Sequence, residues 1–254
     1  MGKVYFVSDL HLGVPGRTSS TERELAFVRW LRTIREDADA IYLLGDLFDF
    51  YFEYKTVVPK GHVRLLGELA SIADSGVDMH FFTGNHDMWI FRYFEKELGI
   101  TTHRNAVIHQ LQGKKVFIGH GDGLGPGDKG YKVLKKIFAN RTCQWLFERL
   151  HPNLGIGLAN YWSRRSRYAN PDQYRFDKET EWLVAYTNEM IQTRGDIDFF
   201  VMGHRHLPID HKLDNERSRY INTGEWLYSQ SFGVMEGGNI SLGFFENDKG
   251  EIFG

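Results

Sequence analysis

Only one cysteine, Cys143, stands in the whole chain, so no internal disulfide can form. The fold must therefore be held by its core, and a reducing compartment suits it. Charge of one sign is lacking as well. The 31 Lys and Arg against 33 Asp and Glu leave a formal net charge of −2, so the whole-molecule field points to no nucleic acid or acidic partner. No apolar stretch approaches the length of a spanning helix. The first residues run straight into a short apolar segment without the layout of a secretory leader, and a cytoplasmic location is expected. Internal repeats and low-complexity segments are absent too. What remains is ordinary globular composition, 42% hydrophobic and 25% charged over 254 residues, enough for one large domain or two. Histidine, at 11, and aromatics, at 15%, are unevenly placed.

The stretch 42–50 shows the grammar of the chain. An apolar run at 41–44 ends in Gly45, and Asp46 follows at once. A buried strand that delivers a carboxylate just past its C-terminal end is the layout of a site at the edge of an α/β sheet. The apolar run 4–7 ends likewise in Asp9-x-His11, and 79–82 ends in Gly84-Asn85-His86-Asp87. The run 115–118 ends in Gly119-His120-Gly121-Asp122, and 198–202 in Gly203-His204-x-His206. Between these strands, helical spacing predicts helices over 21–37, with Leu25, Val28, Leu31 and Ile34 inward, and over 60–75, with Val63, Leu66, Leu69, Ala70 and Ala73 inward. Residues 89–98 and 179–193 also read as helices, and 107–111 as a strand. The remainder, 212–253, alternates like antiparallel strands with turns at 236–239 and 247–250.

Taken singly, these signatures are weak: Asp-x-His is usually a loop cap, and Gly-Asn-His-Asp most often a turn. Five in order, each at a strand end, point to one convergent site. Carboxylates and an amide oxygen suit hard divalent ions, whereas imidazoles suit first-row transition ions, so the mixture favours Mn²⁺, Fe or Zn²⁺. Two such ions need a shared carboxylate, and Asp46 is the candidate. The block 222–226 reads as a strand and turn that packs Trp226 under the site.

Asp9-x-His11, Gly45-Asp46, Gly84-Asn85-His86-Asp87, Gly119-His120 and Gly203-His204-x-His206 together resemble the five-block signature of calcineurin-like metallophosphoesterases. The resemblance covers residues 4–206 and implies a four-layered α/β/β/α sandwich forming a single domain over 1–254. It implies that one metal is held by Asp9, His11, Asp46 and His206, and the other by Asp46, Asn85, His120 and His204. It places His86 against the scissile phosphate, where it can help protonate a leaving group. Asp87 either orients His86 or serves as a structural cap.

Past Gly121 the texture changes. Residues 123–130 hold four glycines and a proline. From 129 to 170 there are nine Lys and Arg against a single acid, Glu148, interleaved with aromatic and aliphatic residues. Two or three helices are expected, broken near Pro152 and Pro171. The bland alternative is a helical pair whose stripe is core and whose charges are solvated. The position directly after a site block favours a helical lid insertion, 125–170, that holds an anionic acylated substrate or rests on an anionic membrane face. Asp128-x-Gly130-Tyr131 and Ser166-x-x-x-Asn170 resemble the UDP-2,3-diacylglucosamine diphosphatases of lipid A synthesis. That resemblance implies an acylated UDP-sugar substrate cleaved to UMP and 2,3-diacylglucosamine 1-phosphate, two manganese ions, and peripheral contact with the inner membrane surface. It also implies that Ser166 and Asn170 touch the substrate, with Asp128 and Tyr131 at the base of the lid. Two positions depart from the best-known branch, which has Arg where this chain has His86 and Lys where it has Gln173. They fit a divergent branch of the same activity, or a relative acting on another lipid-linked or nucleotide pyrophosphate. Two other readings stay open: a phosphoesterase for phosphoprotein, nucleotide or nucleic acid, and a non-catalytic scaffold of the same fold.

Overall fold

The structure, a computed structural model, describes residues 2–126, 129–168 and 175–254, with the backbone alone for 164–168. Among the described residues the strands form two sheets. The first joins β1 (Lys3–Val7), β2 (Ala38–Leu43), β3 (Asp78–Phe82) and β4 (Thr101–His103) in parallel, and the hairpin β10 (Ser231–Glu236) and β11 (Asn239–Phe244) extends it antiparallel from β1. The second runs β5 (Val107–Leu111), β6 (Lys114–Ile118), β7 (Phe199–Met202), β9 (Arg219–Thr223), β8 (Pro208–Lys212), with β6, β7 and β9 parallel.

Side-chain alternation explains the layering. Along a strand successive side chains face opposite sides. Val4, Phe6, Ala40, Tyr42 and Phe82 pack between the sheets against Val116, Ile118, Phe199, Val201 and Ile221. Their neighbours Tyr5, Val7, Ile41, Leu43 and Phe81 face outward, beneath α1 (Ser20–Ile34), α2 (Val63–Asp74) and α3 (Tyr93–Leu98). On the far side Phe117, Phe200, Met202 and Tyr220 pack under α7 (Trp182–Thr193). The architecture is the expected four-layered α/β/β/α sandwich, apolar on both faces of both sheets because helices cover the outer faces.

Several local expectations need correction. On α2, Leu65, Leu69 and Ile72 are buried, the expected Leu66, Ala70 and Ala73 pack partly buried against the same core, and Val63 is exposed. On α1, Phe27 and Trp30 are buried with Val28, Leu31 and Ile34, but Leu25 sits at the solvent edge. Residues 89–92 are not helical. Trp89 bridges Phe52 as an isolated strand pair, and the Glu53 carboxylate accepts from the amides of Phe91, Arg92 and Tyr93, so that α3 starts only at Tyr93. Carboxylate oxygens satisfy amides that the first helical turn leaves open. The helix expected from 179 begins at Trp182, and the last turn leads to Phe253 paired with Ile209 rather than to a further strand. Strand β4 was not expected.

The basic, aromatic segment forms three helices among the described residues: α4 (Lys129–Ala139), α5 (Arg141–Glu148) and α6 (Pro152–Tyr168). Asn140 caps α5 through its side chain, and Pro152 opens α6, where a missing amide costs nothing. Phe138, Phe147 and Ile156 anchor the segment on Phe52, Tyr54 and Trp89, and the Trp89 Nε1 donates to the Phe138 carbonyl at 2.8 Å. The rest of the stripe faces solvent, including Val133, Ile137, Trp145, Leu146, Leu154 and Trp162.

Arg23 holds the loop after β1. Its buried guanidinium donates to the carbonyls of Leu10 (2.7 Å), His11 (2.8 Å) and Val14 (2.6 Å). Removing it leaves buried acceptors without donors, each worth about 1–3 kcal/mol. Arg23→Met should lower unfolding free energy by about 3 kcal/mol in equilibrium denaturation. A loss under about 0.5 kcal/mol, the range of a neutral surface change, would refute this anchoring role.

Candidate metal centre

The five polar signatures follow β1, β2 and β3 of one sheet and β6 and β7 of the other, and they meet where the parallel C-terminal ends of both sheets lie together. Strand-like pairing continues past the strands. Asp9 N donates to Gly45 O at 3.0 Å, His11 N to Asp46 O at 3.0 Å, and Gly203 N to His120 O at 2.9 Å. The chain then turns by adopting left-handed backbone at five non-glycine positions: Asp9 (φ 55), His11 (φ 45), Asp46 (φ 53), His204 (φ 69) and His206 (φ 55). Asp and His tolerate this region better than most residues, at a cost of order 1–3 kcal/mol each. Gly45 precedes Asp46 for a steric reason as well. A Cβ there would lie 2.6 Å from Gly84 N and 2.9 Å from His120 Nδ1.

Asp46 lies at the centre. Its Oδ2 is 3.8 Å from His11 Nε2 and 3.3 Å from His120 Nε2, while Oδ1 accepts the His86 amide at 2.8 Å. On one side Asp9, His11 and His206 gather, with Asp9 Oδ1 at 3.6 Å from His11 Nε2 and 3.2 Å from His206 Nε2. On the other, Asp46, His120 and His204 bring ligand atoms together, and Asn85 Oδ1 lies 3.1 Å from His120 Nε2. His86 forms a third such group with His11 and Asp46. Asp9 Oδ1 is buried and faces the ring nitrogens of His11 and His206, an arrangement that a cation between them would satisfy. The donor set, carboxylate, amide oxygen and imidazole, fits divalent first-row ions.

The expected ligands Asp9, His11, Asp46, Asn85, His120, His204 and His206 thus come together with His86. Tyr131 lies on α4 and donates to Asp122, which follows His120, and Lys135 reaches the same carboxylate at 2.7 Å. Asp128, Asn170 and Gln173 lie outside the described residues, and so does the side chain of Ser166. Trp226 is buried against Phe27 and Trp30, and its amide donates to Asp9 O at 3.0 Å, so it supports the site from below as expected.

Asp87 is a clamp rather than the group that orients His86. It accepts from Leu47 N and Gly84 N, both at 2.8 Å, and ties the loops after β2 and β3. Burial, added to the Asp46 charge, pushes its carboxyl up to about 7. The orienting role expected of Asp87 as one alternative falls to Asp49. His86 Nδ1 donates to the Asp49 carbonyl at 2.7 Å. The Asp49 carboxylate faces His11 Nδ1 at 3.6 Å and accepts from Ser163 of α6 at 2.9 Å. One residue thus joins a metal-facing histidine, His86 and the insertion. A metal-facing imidazole needs a partner on its other nitrogen, and an acid three residues after Asp46 was the available signal. His120 meets the same need with the Leu44 carbonyl, at 2.7 Å from Nδ1.

Charge is balanced within this cage. Burial opposes charge on His11, but hydrogen bonds to Asp49 and Asp9 and the charge of Asp46 overcome it and raise the imidazole to about 9. Burial likewise opposes charge on His120, and Asp46 and Asp9 outweigh it, raising it to about 10. His204 goes down to about 4, from burial and the neighbouring His120. Burial also lowers His86, which is therefore neutral at pH 7 with its proton on Nδ1.

Residues 2–208 match the family described as calcineurin-like phosphoesterase. The chain is 37% identical to UDP-2,3-diacylglucosamine hydrolase of Porphyromonas gingivalis, over 96% of this chain and 98% of that one. It is 33% identical to the Vibrio vulnificus protein of the same name, over 89% and 90%. Among solved structures, a novel archaeal phosphodiesterase aligns at TM-score 0.49 and 12% identity, over 95% of this chain and 99% of its own.

Ligation by imidazole requires the neutral ring, so metal binding at pH 7 must displace protons from His11 and His120. Titrating the metal-free protein with Mn²⁺ in buffers of different ionisation enthalpy should show about two protons released per protein at pH 7. The share released by His11 should fall as pH rises past about 9, where its ring has already lost its proton. No release at pH 7 would contradict this electrostatic account.

Proposed function

The chain belongs to the calcineurin-like phosphoesterase family, and on that premise we propose that it hydrolyses the pyrophosphate of UDP-2,3-diacylglucosamine to UMP and 2,3-diacylglucosamine 1-phosphate. The observation that carries the reaction class is Asp46 Oδ2 between His11 and His120, a carboxylate placed for two cations. The substrate is supported by near full-length similarity to relatives bearing that hydrolase name.

In this proposal Asp9, His11, Asp46 and His206 hold one ion, and Asp46, Asn85, His120 and His204 the other, with manganese the expected metal. Bound there, two divalent ions supply Lewis acidity that generates a nucleophile from water and neutralises charge on the phosphoryl group. The remaining work falls to side chains. His86, fixed through Nδ1 by the Asp49 carbonyl, offers Nε2 to the phosphoryl group, and an anion there favours its protonation for hydrogen bonding or proton donation. Asp49 and the Leu44 carbonyl fix the ring orientations of His11 and His120 before substrate arrives.

The insertion 125–170 acts as the lid. Its solvent-facing apolar side chains, Trp145 at 54% and Trp162 at 57% exposure among them, offer surface for acyl chains, and its lysines and arginines offer charge to phosphates or anionic lipid. Phe147 serves instead to anchor the lid on Phe52 and Trp89. Tyr131, Asp128, Ser166 and Asn170 are the proposed substrate contacts. Among the described residues no helix is long and apolar enough to cross a membrane. Peripheral contact at the cytoplasmic face, through the lid, is the arrangement we propose.

Turnover of UDP-2,3-diacylglucosamine, bis(p-nitrophenyl) phosphate and single-stranded DNA should be compared with manganese present. The wild type should prefer the lipid nucleotide, and Asp46→Asn and His120→Ala should abolish hydrolysis of every substrate. Deleting 129–170 should remove activity on the lipid nucleotide and spare the small diester. Wild-type turnover in either point variant would sink the two-metal reading, and preference for DNA the substrate.

A further inference from the structure

An open cleft of about 480 Å³ adjoins His206 on the flank formed by the loop after β1 and the C-terminal segment. Among the described residues, none of the insertion lines it. We propose that this cleft receives the nucleoside half of the substrate, an inference that rests on the lipid-nucleotide pyrophosphate proposed above.

A pyrophosphate diester has two dissimilar ends, and both must leave the metal pair. The insertion occupies the flanks of His86, through Ser163, and of His204, through Tyr131. It exposes apolar side chains that suit acyl chains. The flank beyond His206 is different. Leu207, Pro208 and Phe253 supply apolar walls, Tyr228 an aromatic ring at 51% exposure, Arg17 and Lys249 cations, and Glu251 a carboxylate. Each matches a part of a nucleotide. Aromatic faces stack on a base, a carboxylate accepts from a ribose diol, and guanidinium and ammonium groups hold phosphate oxygens. The volume lies within the range of small-molecule sites.

The walls are built and held. Arg17 N donates to Leu227 O at 2.9 Å, tying the loop after β1 to the loop that carries Tyr228. The Glu225 carboxylate accepts from Tyr228 N (2.9 Å) and Ser229 N (2.8 Å) and so sets that loop's turn. The outer wall is pinned by Phe253 N to Pro208 O at 2.9 Å and Asp210 N to Phe253 O at 2.8 Å. The Arg17 and Lys249 side chains make no ion pair among the described residues, so neither cation must give up a partner to meet an anion. His206 belongs both to the cleft and to the metal-facing cage. A nucleotide seated there would thus carry its phosphate towards the metals.

The test uses inhibition of bis(p-nitrophenyl) phosphate hydrolysis by the manganese-loaded protein, which needs no lipid. UMP should inhibit the wild type at least about tenfold more strongly than inorganic phosphate. Uridine, which lacks the phosphate, should compete with UMP. In Tyr228→Ala and Arg17→Ala the advantage of UMP over phosphate should shrink by about tenfold, and Tyr228→Phe should restore it. Equal inhibition by UMP and phosphate in the wild type, or an undiminished advantage in both alanine variants, would overturn the assignment. The substrate proposal fails separately: if the wild type leaves UDP-2,3-diacylglucosamine intact while UMP still depends on Tyr228 and Arg17, the cleft stands and the lipid substrate falls. If it cleaves that substrate and UMP has no advantage, the reverse holds.

Discussion

The Asp46 carboxylate has one oxygen 3.8 Å from His11 and 3.3 Å from His120, and those two histidines come from different sheets. A buried carboxylate between two imidazoles cannot be left to a flexible side chain. It demands that the strand ends of both sheets be brought together and held. Left-handed backbone at Asp9, His11, Asp46, His204 and His206 is the local consequence, because each chain must turn at once after its strand to aim its ligand back. The stacking of two fully covered sheets is the global one.

Polar groups around the cage keep those turns in place. Arg23 satisfies three carbonyls of the β1 loop, Asp87 bridges the β2 and β3 loops, and Trp226 donates to Asp9 from beneath. Asp49 has a wider reach. Through its carbonyl and its carboxylate it touches His86, His11 and Ser163, so α6 and the metal-facing cage share one residue. Movement of α6 therefore bears directly on the setting of His86.

Much of this was legible in the chain because ligand chemistry and strand grammar coincide. A glycine or short polar turn after an apolar run announced each of the five strand ends, and the residues there were the right types for two cations. The sandwich followed from strands that are apolar on both faces. Other features depend on partners far apart in sequence and leave no local pattern. The start of α3 is set by Glu53, forty residues upstream of Tyr93. Nothing local distinguishes Asp49 from other loop acids, and only the fold places it between His11 and His86. The cleft beside His206 joins Arg17 to a C-terminal segment more than two hundred residues away, a meeting that no spacing rule anticipates.

The central claim is a shared carboxylate between two ions. Anomalous diffraction from crystals grown with Mn²⁺ tests it directly. Two manganese peaks roughly 3.5–4 Å apart, each bonded to Asp46, are the predicted result. A single peak, or two with Asp46 bound to only one of them, would contradict it.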